Sequence, residues 1–230
     1  MTDCGDQSGG NLVPRGRRMS ELNGTVRALE RFTWLLGDDV FFVPCASGTK
    51  EPICTYRDRA FAETKSEEYR GVFDLKSANI AVYLGKASGG LCAIDCDADE
   101  DLAAFLEANP NLMTTTHSRG SRGGMLWVRV TGEFPKSCKS ERFEWRADGN
   151  LSMIHGRHPK GMDYVLVVDA APVAVPFKEV VWPDGWELPW VNKAGEDAAA
   201  ALAKEYGQPF YRNKDEHVTG INEPKSGSWK

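Results

Sequence analysis

Two aspartates one residue apart, Asp95 and Asp97, close the short apolar run Leu91-Cys92-Ala93-Ile94. On a strand, side chains alternate between faces, so both carboxylates point one way and Cys96 the other. Paired carboxylates repel unless a cation lies between them. Oxygen donors of this kind suit Mg²⁺ or Mn²⁺, shared between the protein and the phosphates of a substrate. The competing reading is an acidic turn that caps the next helix, with Asp97 or Asp99 as N-cap before Leu102-Ala103-Ala104-Phe105-Leu106. A calcium loop is excluded: Glu100 stands where its turn glycine belongs and Leu106 where its bidentate glutamate belongs.

Glu144 supplies a third carboxylate, two residues before Arg146 on an alternating strand. If the fold brings it to Asp95 and Asp97, the three complete a metal site; if not, it forms an exposed ion pair of small energetic weight. Between the acidic strands lies Ser118-Arg119-Gly120-Ser121-Arg122-Gly123-Gly124. Glycines let backbone N–H groups approach a phosphate, and Arg119 and Arg122 offer forked, permanently charged donors; a solvated hairpin turn is the alternative. Lys136, Lys139, Arg142 and Arg146 extend the positive charge, interrupted by Glu133, Glu141 and Glu144. Further on, His155-Gly156-Arg157-His158-Pro159-Lys160 lies in a loop with no third soft ligand near, which argues against zinc. His158 and Lys160 suit phosphate or sugar, while His155 serves equally well as a packing residue.

These groups need elements to hold them. Three-and-four spacing of Val26, Leu29, Phe32, Leu35 and Leu36 predicts a helix over 20–36, stopped by Gly37. Strands are predicted at 40–44, 79–85, 91–95, 125–130, 143–146 and 163–168, with a helix over 100–109 ended by Pro110. Strands outnumber helices and tight turns join several of them, which implies an α+β domain with a mixed or antiparallel sheet. Beyond Phe177, Trp182, Trp186 and Trp190 among prolines suggest an extended segment packed across the domain, followed by an Ala-rich helix over 196–206 and a polar tail. The expected organisation is a disordered segment or tag at 1–18 (Leu12-Val13-Pro14-Arg15-Gly16 reads as a protease-site scar, with Met19 as the start), a catalytic domain at 19–190, and a C-terminal helix and tail at 191–230. The 230 residues carry a net charge of −5, so a nucleic-acid partner needs a local basic stripe rather than a basic surface. No apolar run approaches a membrane span, and six scattered cysteines without a CxxC pair point to reduced thiols in the cytoplasm.

The ordered series is more specific than any one piece. It runs from an aromatic-Pro strand with Ser47-Gly48-Thr49-Lys50-Glu51-Pro52, through Asn79-Ile80-Ala81-Val82-x-Leu84-Gly85, Ser88-Gly89-Gly90-Leu91 and Ile94-Asp95-x-Asp97. An Arg/Gly-rich turn into an aromatic strand follows, then Glu144-x-Arg146 and His158-Pro159-x-Gly161-x-x-Tyr164. Over about residues 38–178 it resembles the bifunctional DNA primase/polymerase (prim-pol) domain of the archaeo-eukaryotic primase superfamily. The resemblance implies an RRM-like mixed or antiparallel catalytic sheet flanked by helices, joined to a smaller N-terminal α/β unit. It also implies Asp95, Asp97 and Glu144 as the holders of two divalent metals, Mg²⁺ or Mn²⁺, with Arg146, His158 and Tyr164 matching the family's last motif. The partners implied are a template or primer strand, nucleoside triphosphates and a replicative helicase, in a plasmid- or virus-encoded protein of a prokaryotic cytoplasm.

Where the family carries a histidine after the Gly-rich turn, this chain has Met125, whose thioether cannot donate to a phosphate. His117, Arg119 or Arg122 could substitute. Three readings follow: a nucleotidyltransferase that makes or extends primers, a non-catalytic descendant that binds nucleic acid or nucleotide, and a nuclease using the same carboxylates. Tyr83, Phe41 and Phe42 are either core residues or selectors of the sugar.

Overall fold

The computed structural model describes residues 24–74 and 79–189. The segment at 1–18, the start of the first helix, Trp190, the Ala-rich helix and the polar tail all lie outside the described residues. Helix α1 (Gly24–Leu36) buries Leu29, Phe32, Leu35 and Leu36, the stripe its spacing predicts. Strand β1 (Phe42–Cys45) follows, then the short helix α2 (Glu67–Val72), whose Ser66 hydroxyl accepts the Tyr69 N–H as an N-cap. Next come β2 (Asn79–Tyr83), β3 (Leu91–Cys96), α3 (Asp99–Ala108), β4 (His117–Arg119) and β5 (Gly124–Thr131). The described chain closes with β6 (Cys138–Lys139), β7 (Phe143–Arg146), β8 (Leu151–His155), β9 (Val165–Val168) and β10 (Val173–Pro176).

The strands make two sheets of an α+β fold. The small sheet has the order β1-β2-β8 and is antiparallel. The large one runs β6-β7-β3-β5-β4-β9, with β10 beside the second half of β5 as its one parallel neighbour. The small sheet takes its third strand from β8, downstream of β7, so it is not N-terminal in chain order alone. Strands β4, β6, β8 and β10 escape the sequence pattern. Two are only two or three residues long, and Leu151-Ser152-Met153-Ile154-His155 lacks the alternation of a one-sided strand because its middle is buried throughout.

Alternation along β3 divides the interior in two. Leu91 and Ala93, with Trp127 of β5, join the core between the large sheet, the small sheet and α1. Cys92, Ile94 and Cys96, with Leu126 and Trp145, join the core under α3. Trp182 and Trp186 close this second core, their rings 4.6 and 5.2 Å from that of Phe143, so the Trp-rich segment does pack across the domain. Phe41 and Phe42 are buried, and Tyr83 packs edge-on against Phe41 and Tyr56, which places all three in the core. No helix among the described residues is long and apolar enough to cross a membrane.

Two histidines are set into this frame, one buried and one half-buried. His117 on β4 is 7% exposed with its Nε2 unpartnered, and the His155 ring on β8 sits 5.9 Å from that of Phe32. Burial, with Arg119 beside His117, pulls both imidazoles below their usual range; for His155 a nearby Asp163 partly opposes burial. Between the ordinary value of about 6.5 and the lowered folded values, the unfolded chain binds more protons. Stability is therefore complete above that window and lost as pH falls through it. Thermal melts should hold steady above about pH 7 and decline as pH falls below about 6.5, with a shallower decline in His117→Gln.

Candidate active site

The antiparallel register of β3 and β7 sets Glu144 directly opposite Asp95, and that of β3 and β5 sets Met125 opposite Asp95 on the other side. Directly opposed side chains share a face, so Asp95, Glu144 and Met125 all look towards the small sheet. Strand β3 ends at Cys96, and Asp97 leaves it in a bend, yet both aspartates line one cleft of ≈ 380 Å³. Arg146 binds the acidic pair from the same face: its Nη2 lies 2.7 Å from Glu144 and its Nε 3.2 Å from Asp95. The second approach is a charge contact off the line of a hydrogen bond, since Nε has no hydrogen-bond acceptor. With Arg146 only 16% and Glu144 25% exposed, this is no surface ion pair. Burial raises the Asp95 carboxyl above its usual range; Arg146 opposes the rise, while Asp97 and Glu144 add to it.

Asp95, Asp97 and Arg146 line the cleft itself, whereas Glu144, held by Arg146, is not among its lining residues; around these acids the cleft wall is basic. The β4–β5 hairpin brings Gly120, Ser121 and Arg122, and the loop after β8 brings His158, Lys160 and Tyr164. Lys50, at the turn after β1, also reaches the cleft. The sequence offers only one sign of Lys50, a lone cation at a Gly-containing turn ahead of Pro52. Ser118 also lines the cleft, holding the indole N–H of Trp127 at 2.8 Å beneath it. His158 Nδ1 accepts the Lys160 N–H at 3.1 Å, which leaves Nε2 as the protonated nitrogen of the neutral ring. Burial lowers the affinity of His158 for a second proton, with Lys50 and Lys160 adding to the effect. The Tyr164 hydroxyl is buried without a partner, and its phenol is pushed up to about 12 by burial and then by Asp95.

Other candidates lie elsewhere. Arg119 pairs with Asp99 at 2.9 Å instead of lining the cleft, Arg142 pairs with Asp101 at 3.1 Å, and Lys139 approaches Asp97 at 4.0 Å. These cations neutralise the acidic start of α3, whose N-cap is Ala98 and not Asp97 or Asp99. His117 pairs in register with Leu126, on the α3 side of the sheet, so it does not stand in for the histidine that Met125 replaces. Of the groups weighed for that task from the hairpin, only Arg122 faces the cleft.

Carboxylate oxygens are the donor type that suits Mg²⁺ or Mn²⁺, and Asp95 and Glu144 share one strand face and are mostly buried, while Asp97, in the bend beyond the strand, is largely exposed. Among the described residues no three acidic, His or Cys side chains are gathered as a ligand cluster, and the Arg146 guanidinium is the cation between Asp95 and Glu144.

Gly123 ties the hairpin to the acidic strand end. Its φ is +57°, and a Cβ there would sit 1.9 Å from the Cys96 carbonyl oxygen, while its N–H donates to Asp99 at 2.9 Å. Gly123→Ala should therefore destabilise the fold by about 2 kcal/mol or more, from backbone strain and overpacking. The denaturation midpoint should fall with an unchanged m-value.

No curated protein matches the chain significantly. A family model described as "bifunctional DNA primase/polymerase, N-terminal" matches residues 34–179, over half of the sequence. That span contains every strand from β1 to β10 and every residue of the cleft. The chain therefore belongs to the Prim-Pol family of bifunctional DNA primases/polymerases.

Proposed function

We propose that the cleft is the nucleotidyl-transfer site of a metal-dependent primase/polymerase, with Asp95, Asp97 and Glu144 as metal holders. The observation that carries this reading is the opposition of Asp95 and Glu144 across two strands, with Asp97 at the strand exit, beneath a basic wall. Bound there, Mg²⁺ or Mn²⁺ would activate a primer hydroxyl and neutralise the triphosphate. The chain's own residues do the rest. Lys50, Arg122 and Lys160 attract and orient the phosphates, and Arg146 is within reach of both the carboxylates and the incoming charge. His158 donates from Nε2, which supplies the hydrogen bond that the Met125 thioether lacks. Tyr164 stays protonated and offers its unpartnered hydroxyl.

The implied partners are nucleoside triphosphates and a template or primer strand, with a replicative helicase alongside. The setting we assign is the cytoplasm of a prokaryotic host, in a plasmid- or virus-encoded replication system, with the catalytic unit spanning 19–190. Met125, opposite Asp95 in the cleft, favours a second reading: a domain that binds nucleotide or nucleic acid without polymerising.

Extension of a labelled primer–template with Mn²⁺ or Mg²⁺ separates the readings. Longer products, lost on the order of 10³-fold in Asp95→Asn and Glu144→Gln with melting retained, support the transferase. Strand binding that survives both substitutions and falls steeply with salt, without extension, supports the binding module. Shorter products would indicate a nuclease.

A further inference from the structure

Asn79, the first residue of β2, is fully buried, yet its side chain makes three hydrogen bonds to two separate loops. Its Nδ2 donates to the Thr49 carbonyl at 3.0 Å and to the Arg157 carbonyl at 2.8 Å, and its Oδ1 accepts the Arg157 N–H at 2.8 Å. Thr49 directly precedes Lys50, and Arg157 directly precedes His158, two basic residues that reach the cleft from separate loops. We propose that Asn79 is a positioning residue for the triphosphate, a single amide that fixes the Lys50 turn and the His158 loop relative to each other.

The neighbouring geometry leaves little freedom at this clasp. The Lys50 turn is closed on itself by Ala46 N–H to Glu51 and by Thr49 N–H to Ala46, so anchoring Thr49 places the whole tip. The second loop is closed by Tyr164 N–H to Gly156 and by His158 N–H to Met162, so anchoring Arg157 places His158, Lys160 and Tyr164 together. Gly156, at φ +102°, lets the loop approach: a Cβ there would lie 2.0 Å from Asn79 Oδ1. An amide is needed because the clasp requires two donors and one acceptor from one buried, uncharged group. Aspartate offers no donor and would bury a charge. Effective catalysis or binding by several groups depends on holding them within a fraction of an ångström of their working positions, which such a clasp does.

The inference rests on reading the cleft as a triphosphate site, and the test separates the two. Binding of a fluorescent deoxynucleoside triphosphate with Ca²⁺, which avoids turnover, is measured on the full chain. The proteins are wild type, Asn79→Ala, Asn79→Asp, Gly156→Ala, Lys50→Ala/His158→Ala, and that double variant carrying Asn79→Ala. All are compared below their melting temperatures. The expected result is a 10-fold or greater weakening in the Asn79 variants and in Gly156→Ala. Adding Asn79→Ala to Lys50→Ala/His158→Ala should cause a markedly smaller further loss than it causes in wild type, because the clasp then acts only through Lys160 and Tyr164. In extension assays KM for the triphosphate should rise while KM for the primer–template stays level, which a general loss of structure would not produce. If folded Asn79 variants bind like wild type, or their loss multiplies fully with that of Lys50→Ala/His158→Ala, the positioning role is overturned while the cleft reading stands. Should wild type and Lys50→Ala/His158→Ala bind the triphosphate equally, the cleft reading falls and the inference with it.

Discussion

The structure depends on how it accommodates like charge in a partly buried place. Strand β3 delivers Asp95 into the space between two sheets, β7 sets Glu144 opposite it, and Asp97 follows at the strand exit. Like charges in a low-dielectric space repel, so neighbouring acids there must either pair with a cation or hold a proton. Arg146 supplies the cation, touching Asp95 and Glu144 with two nitrogens of one guanidinium. Even so, burial and the neighbouring carboxylates still leave Asp95 holding its proton more tightly than usual. A site in this condition favours any added positive charge, which is the property a cation-assisted phosphoryl chemistry needs.

The two cores explain why the acids can be held so closely. One side of the large sheet is covered by α3 and by Phe143, Trp182 and Trp186, which pack together beneath β3 and β7. The opposite side is packed on the small sheet and α1 along Leu91, Ala93 and Trp127, and opens only beyond them, where Asp95 and Met125 lie. The cleft is thus where the contact between the sheets ends. Its floor belongs to a rigid sheet, and its wall is made of turns that leave the small sheet and the β4–β5 hairpin. Precise acid placement and adaptable cation placement come from different elements, an arrangement suited to a substrate whose phosphates must enter and leave.

Basic residues around β3 and its hairpin fall into two groups. Arg119, Arg142 and Lys139 lie against Asp99, Asp101 and Asp97, where they quiet the dense negative charge at the start of α3. The carboxylates of that first turn also suit the positive end of the helix dipole. Lys50, Arg122, His158 and Lys160 instead line the cleft. Linear order does not separate the groups: Arg119 and Arg122 share one hairpin and serve opposite purposes. A chain with a net charge of −5 can in this way carry a strongly basic wall in one confined place.

Local pattern was enough for much of the framework and for the strand faces of Asp95 and Glu144, while Asp97 falls in a bend just past its strand. The periodicity of Leu29, Phe32, Leu35 and Leu36, the alternation in Phe143-Glu144-Trp145-Arg146 and the apolar run into Asp95 each encode an element through side-chain period alone. They also put Asp95 on one face of its strand and Glu144 with Arg146 on one face of theirs, because the pleat repeats every two residues. The order of motifs likewise pointed to the family. Register is different: whether Glu144 lies opposite Asp95 or a strand away depends on pairing between segments nearly fifty residues apart, and no local pattern fixes that. The same is true of Lys50 and His158, which are brought to one wall by an asparagine distant from both, of Arg119, which is turned aside by Asp99, and of His117, which is carried to the far face by a three-residue strand. The amino-acid order determined which chemical groups exist and which elements carry them. Tertiary pairing alone decided which of those groups meet, since long-range hydrogen-bond register and buried charge are properties of contacts between elements and not of any one of them.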